Sequence, residues 1–487
     1  VLTFIVFFPA LGALALATMR REDERNAKQL AALVTAAVFV ASIIVFAAFD
    51  RDATGFQFTE RFRWIRAAST GFDIQYFVGV DGLSAVMVIL TTFLFVLAVL
   101  VSWKIELRPR EYFAWMLLLE TGVLGVFTSL DLILFFLFWE VELIPMYMLI
   151  SIWGTGRKEY SAMKFVIFTI AGSALMLAGF LVLGVAAGTF DMEVLVNGQV
   201  TSAAIPLTAV FFLIFIGFAV KLPVFPLHTW LPDAHTDAPT AVSVILAGVL
   251  LKMGGYGIIR IPVSMLPDTA KDYGAWLAAF GAVNVIYGAI VTMRQTDLKR
   301  LIAYSSVSHM GYVLLGIFAL GSVGLTGATL QMFTHGTITG LLFVMVGLVY
   351  DRAHTRDITA LSGLAHRMPV IATVFVMAGL ASLGLPSMSG FVSELLVFLG
   401  TVDRHTAATI LGVIGILLTA GYILWMLRRV FFGPPTPEWE DLPDATAWWE
   451  RVPMAALLAV ILAVGIYPAT LVDVIETGVM PIVARLG

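Results

Sequence analysis

The feature that most limits what this chain can fold into is a series of long apolar runs, each close to the length of one membrane crossing. Such runs read at 1–19, 29–49, 79–102, 111–129, 131–153, 161–187, 205–226, 239–261, 275–293, 299–320, 326–350, 368–400, 407–432 and 452–474. A spanning helix takes about 20 mostly apolar residues, which makes about fourteen crossings. A transmembrane barrel is built from shorter alternating segments. The expected fold class is therefore an all-α integral membrane protein. Composition points the same way: only 13% of residues are charged, against roughly 25% in a soluble domain. The first run starts at Val1 with no basic segment ahead of it and reads as a spanning helix, not a signal peptide. The Arg-rich stretch 60–66 and the Pro/Trp stretch 433–450 read as connectors outside the membrane. Trp448 and Trp449 suit an interfacial belt.

Lysine and arginine set the orientation, because cytoplasmic loops hold their excess. Loops after odd-numbered runs, beginning with Arg20, Arg21, Arg25 and Lys28, carry 19 of them. The even-side loops and tail carry 8: Arg51, Arg61, Arg63, Arg66, Arg260, Lys271, Arg404 and Arg485. Both termini are thus expected on the non-cytoplasmic side. Only Lys221 and Lys252 fall in no loop.

Several classes of chemistry are excluded. With no cysteine there is no disulfide, thiolate zinc site, cysteine-ligated iron–sulfur cluster or thiol nucleophile. No phosphate-binding glycine loop or nucleophile elbow is present, so no nucleotide or flavin site is expected. A net charge of −4 gives no reason to expect nucleic acid.

Two runs are interrupted by proline and glycine. One reads Lys221-Leu-Pro-Val-Phe-Pro-Leu-His228, the other Gly384-Leu-Pro-Ser-Met-Ser-Gly-Phe-Val-Ser-Glu394. Broken helices at matching places in two halves are the sequence pointer to an inverted-repeat transporter. The halves would be the fourth to eighth and ninth to thirteenth helices. Asp131 then matches Asp297 at an offset of 166, and Lys221 matches Glu394 at 173. Proline and glycine are also simply frequent in membrane helices. The expected division is 1–110 (first three helices), 111–262 (first repeat), 275–432 (second repeat) and 433–487 (connector and last helix).

Four ionisable residues lie deep in the runs: Glu140, Lys221, Lys252 and Glu394. One charge at the bilayer centre costs about 2.5–3.5 kcal/mol on the gentlest scale. Together they would cost on the order of 10 kcal/mol, a whole domain's stability. They are therefore expected to face protein or internal water, and to pair. Burial lowers a lysine's pKa and a nearby carboxylate raises it, so a Glu140–Lys221 pair that opens and closes could hold and release a proton. Driving a proton against roughly 150–200 mV takes about 3.5–4.6 kcal/mol, or a swing of about 3 pKa units. A static ion pair that fixes helix register is the plain alternative.

His228, His235, His309 and His335 stand near these charges in sequence and could support a relay, since histidine titrates near neutrality. Each could equally be a satisfied core group. Haem ligation is disfavoured because no repeated same-helix spacing appears, and metal binding more so. Asp233 and Asp237 read as caps for the helix after Pro239, and Asp131 as a cap for the fifth helix. Glu142, two residues from Glu140, points to a different side of its helix, and Glu120 also lies in an apolar run. No role is assigned to either.

Trp139-Glu140…Pro145-Met-Tyr, Lys221-Leu-Pro-Val-Phe-Pro-Leu-His-Thr-Trp-Leu-Pro-Asp-Ala-His235, Leu-Leu-Lys252…Tyr256-Gly and Gln295-Thr-Asp-Leu-Lys-Arg-Leu-Ile-Ala-Tyr-Ser-Ser-Val-Ser-His309 resemble the antiporter-like subunits of respiratory complex I. The resemblance covers nearly the whole chain, most strongly 110–400. Within that family the chain is similar to the M type of NADH–quinone oxidoreductase, the counterpart of mitochondrial chain 4. Glu394 stands where sister subunits carry a lysine, and no long lateral helix follows the last run.

The resemblance implies fourteen helices with two inverted five-helix repeats, Glu140–Lys221 as a coupled pair, a midplane relay through Lys252 and the histidines, and Glu394 toward the exit. It implies sister antiporter-like subunits and lipids as partners, and a bacterial plasma membrane location. FMN, iron–sulfur clusters and quinone are expected in other parts of the complex, with no redox cofactor on this chain. A subunit of a multi-subunit sodium/proton antiporter or of an energy-converting hydrogenase shares such motifs. A static membrane scaffold is the reading from another class.

Overall fold

The computed structural model describes residues 1–20, 24–67, 72–198, 200 and 203–486. Arg21, one of the residues in the lysine and arginine count, lies outside them, as do the side chains of Arg25 and Arg66. Among the described residues, nine helices are long and apolar enough to cross a membrane: Asn26–Ala47, Gly82–Val101, Leu132–Trp153, Lys158–Ala187, Thr240–Val263, Pro267–Thr292, Ser322–Ala353, Thr406–Val430 and Trp448–Ile466. Shorter apolar helices lie at Leu2–Thr18, Leu207–Lys221, Pro369–Ser382 and Ser389–Thr401. Less apolar ones run over Pro109–Thr128, Leu298–Ile317 and Ala469–Leu486.

The chain is not wholly helical. Gln57–Ala67 and Phe72–Val80 form an antiparallel hairpin, so the Arg-rich stretch expected as a connector is paired strand. Alternation explains it: Phe62 and Trp64 alternate with Arg61 and Arg63 at period two, not 3.6. The last apolar run also ends differently. The helix stops at Ile466, Tyr467 and Pro468 intervene, and a further helix extends over Ala469–Leu486. Proline accounts for the break, because its ring cannot continue the hydrogen-bond ladder.

Two helices form the centre. The apolar stretches of Thr240–Val263 and Ser322–Ala353 are buried along their whole length. They approach closely where glycine faces glycine: a Cβ on Gly336 would lie 2.7 Å from the Gly248 carbonyl oxygen. Small residues that let backbones touch are the usual means of packing helices in lipid. Thr240–Val263 also contains two π-helical segments, Leu246–Leu250 and Ile259–Val263, which shift the face its later residues present.

Backbone bridges recur at one offset. Leu132 N–H donates to Phe190 O and Met192 N–H to Leu130 O, both 2.9 Å. Leu298 N–H donates to Arg356 O (2.9 Å) and Ile358 N–H to Thr296 O (2.7 Å). Every position in the second set lies 166 residues after its match in the first. Asp131 and Asp297 cap the helices beside these bridges: Asp131 accepts from the N–H groups of Ile133 and Leu134, Asp297 from that of Arg300.

Candidate functional site: a buried line of charge and histidine

The seventh run breaks where the sequence places its prolines. The Leu207–Lys221 helix ends at Lys221, and the chain turns before Trp230–Asp237 begins. The groups freed by the break find partners. Trp230 Nε1 donates to Val220 O (2.9 Å), and Phe225 N–H donates to Asn284 Oδ1 (2.8 Å). Asn284 in turn donates to Val307 O (2.8 Å), so a side chain of the Pro267–Thr292 helix ties the break to Leu298–Ile317.

Lys221 has no exposed surface and forms an ion pair with Glu142, which has none either. Its ammonium sits 5.3 Å from the Trp139 ring and 5.0 Å from Phe165. This corrects the expected Glu140–Lys221 contact. The helix is interrupted by a turn at Glu142, between Leu132–Val141 and Leu143–Trp153. Glu142 lies on the buried stripe Phe135, Trp139, Glu142, Met146 and Leu149, spaced three and four apart, with its backbone against Gly122. Glu140 is partly exposed and makes no ion pair, and its Oε1 is buried without a hydrogen-bond partner. Both glutamates sit in an apolar run, and only the packing shows which of its faces meets Lys221.

A second cluster lies on the central helices. Lys252 is fully buried, donates to Ala247 O, and lies 2.8 Å from His335 Nδ1. The His335 and His309 rings are 5.5 Å apart between centroids. His309 Nδ1 is 3.4 Å from Glu394 Oε1, and His309 Nε2 is 3.3 Å from Ser382 Oγ. Lys252, His335, His309 and Glu394 thus form one buried row, in which the two imidazoles meet by ring contact and not by a hydrogen bond. Glu394 reaches it through the twelfth run's break: the helix stops at Ser382 and restarts at Ser389. Gly384, in the left-handed region at φ +78°, lies against the Glu394 carboxylate; a Cβ there would stand 2.8 Å from Oε2.

The other two histidines stand apart from that line. His235 stacks on Phe343 at 4.8 Å, and His228 packs against Phe225 and Tyr287. Neither nitrogen of His235 has a hydrogen-bond partner. Asp233 and Asp237 are not helix caps. Asp233 pairs with Lys164 (2.7 Å) and Arg300 (3.6 Å), and Asp237 accepts from Ser161 Oγ (2.6 Å). Proline at 239 takes the cap position without a side-chain bond. Both oxygens of Glu120 are buried without partners. Among the described residues no three His, Asp or Glu side chains gather to hold a metal ion.

Two buried cations escaped the sequence reading. Arg260, counted as a loop residue, is embedded in the Thr240–Val263 helix and paired with Asp81 at 2.6 Å. Lys299 is buried and donates to Ala238 O at 2.6 Å. For Arg260 the signal was present: apolar residues continue after it through Ile261-Pro-Val263. A cavity of about 440 Å³ lies beside Lys299, lined also by Lys104, Thr155, Asp351, Arg356 and Glu450.

The transmembrane family described as NADH:quinone oxidoreductase/Mrp antiporter matches residues 129–419, which contain both clusters. A Rhodobacter capsulatus protein, NADH-quinone oxidoreductase subunit M, is 42% identical over 99% of this chain and 96% of its own length. The chain belongs to the antiporter-like subunit family of NADH–quinone oxidoreductase, M type. A Synechococcus elongatus member, NAD(P)H-quinone oxidoreductase chain 4, is 40% identical over 100% of this chain and 92% of its own. A chain of respiratory complex I from Thermus thermophilus superposes with a TM-score of 0.89 at 27% identity, covering 100% of each. A chain of the Mrp complex from a Dietzia species superposes with a TM-score of 0.86 at 22% identity, covering 100% of this chain and 98% of its own. That second likeness is one of fold.

Proposed function

We propose that this chain moves protons across the membrane as a subunit of an NADH–quinone oxidoreductase, driven by quinone reduction on other subunits. The observation that carries the proposal is the buried row Lys252, His335, His309 and Glu394, which starts on the two central helices and continues on Leu298–Ile317 and Ser389–Thr401. An ammonium, two imidazoles and a carboxylate within contact of one another can pass a proton by small changes in side-chain position. The Lys221–Glu142 pair supplies the switch. Opening and closing this buried pair would make and break the contact that holds Lys221 in place. Glu140 remains a candidate second carboxylate for Lys221, and His228 and His235 candidate intermediates between the lysines.

The repeated bridges at offset 166 support the two-repeat reading, and the lysine and arginine count favours fourteen spans with both termini outside the cytoplasm. On that orientation the cavity beside Lys299 opens toward the cytoplasm, where a pump takes up its protons. Iron–sulfur clusters would sit on other subunits, because this chain has no cysteine to ligate them. Full-length relatives at 40–42% identity favour the quinone oxidoreductase over the sodium/proton antiporter.

The test is proton pumping by the assembled complex in sealed liposomes with the Lys221→Ala chain. The expected result is loss of most NADH-driven acidification while the complex still assembles. Undiminished acidification at the wild-type rate of quinone reduction would return the buried charges to a static scaffold.

A further inference from the structure

The Thr240–Val263 helix carries polar side chains beyond Lys252. Tyr256 and Arg260 follow at i+4 and i+8, about 12 Å of helix in all at 1.5 Å per residue. Arg260 Nε donates to Tyr256 Oη at 3.2 Å, and Tyr256 Oη donates to Phe127 O at 3.2 Å. Past Arg260 lies a cavity of about 150 Å³, lined by Gly55, Asp81, Glu193, Arg260, Ser264 and Arg485 among others. Gly55 and Glu193 at its rim are exposed. Lys252 thus stands two helical turns from a polar cavity with an exposed rim, on the face opposite the Lys299 cavity.

A pump with such a stretch beside its relay needs a barrier there. Water in the cavity and the Tyr256 hydroxyl would otherwise offer protons a way back to Lys252 with no work done. We propose that Arg260, locked by Asp81, is an electrostatic stopper that closes this end of the helix to protons. This rests on the proton-relay reading above.

Three observations suit Arg260 to that task. A guanidinium does not lose its proton in a protein, so Arg260 repels an incoming proton without relaying it; arginine serves the same purpose in pores that must exclude cations. Its position is over-determined: it pairs with Asp81 at 2.6 Å and lies 5.1 Å from the Phe56 ring and 5.2 Å from the Tyr256 ring. Asp81 is itself immobile, accepting from the N–H groups of Leu83 (3.1 Å) and Ser84 (3.0 Å) as the cap of Gly82–Val101. The remaining charged residues on the cavity are Glu193 and Arg485, and Arg485 is tied to Asn197 at 3.2 Å.

The experiment reads passive proton leak in liposomes holding the assembled complex, after a pH jump and without NADH. Arg260→Gln together with Asp81→Asn removes both charges and keeps the helix cap, since asparagine caps as aspartate does. Its leak should rise at least tenfold, the ratio that about 1.4 kcal/mol of lost barrier represents. Vesicles as tight as wild type would overturn the proposal. If the double variant fails to assemble, Arg260→Gln and Arg260→Lys decide the point. The lysine chain keeps a cation beside Asp81 and should stay as tight as wild type, while the glutamine chain should leak at least tenfold faster; equally tight vesicles for both overturn the stopper. Failure of the relay reading shows elsewhere, as normal pumping by Lys221→Ala.

Discussion

A lysine with no exposed surface either keeps a counter-charge or gives up its proton. Lys221 keeps Glu142. Breaking a buried pair by removing one partner costs roughly 3–5 kcal/mol, whereas replacing both by apolar groups is often neutral. Glu142→Gln and Lys221→Met should therefore each lower the thermal midpoint of the purified complex by several degrees. The double variant should recover most of that loss. Equal destabilisation in single and double variants would mean the two side chains do not hold each other. At this scale the sequence located the lysine but not its partner. Two glutamates stand within three residues, and the choice between them depends on which face of an apolar helix meets Lys221, which hydropathy does not register.

Helices in this molecule meet through backbone as much as through side chains. Gly336 faces the Gly248 carbonyl with no room for a methyl group, and that approach puts His335 within 2.8 Å of Lys252. Gly336→Ala should part the two helices at an overpacking cost of about 1–3 kcal/mol. Pumping by the assembled complex should fall more than quinone reduction does; an equal fall in both would argue against a role in the relay. Asn284→Leu tests the broken helix. It leaves the Phe225 N–H without its acceptor, at about 1–3 kcal/mol for a buried group. Faster amide exchange over 222–229, with the rest of the chain unchanged, is the expected outcome. Both helix breaks were legible in the sequence, because proline and glycine declare them locally. The paired strands Gln57–Ala67 and Phe72–Val80 were hidden by their charge, which reads as a loop until the strand alternation is counted.

Across the whole molecule, two cavities flank the central helices. The larger, beside Lys299 and Asp351, lies among loops that the lysine and arginine count puts in the cytoplasm. If protons enter there, narrowing it from a residue off the relay should slow turnover. Thr155 lines the cavity and is exposed. Thr155→Trp should reduce NADH-driven acidification several-fold while leaving passive leak at the wild-type level. Unchanged acidification would place uptake elsewhere.

Hydropathy alone commits this chain to a membrane and to many helices, since no aqueous fold can bury so many apolar runs of bilayer length. Proline and glycine mark where two of those helices break, and chemistry singles out Lys221, Lys252 and Glu394 as charges no loop explains. Family motifs add the kind of complex. None of this says which buried groups touch. The row Lys252, His335, His309 and Glu394 joins residues up to 142 positions apart in sequence, brought together from four different helices. The same packing buried Arg260 and chose Glu142 over Glu140. Pairings of that kind depend on helix rotation and on the distance between helices. Those are set by tertiary contact, and no local pattern in the chain encodes them.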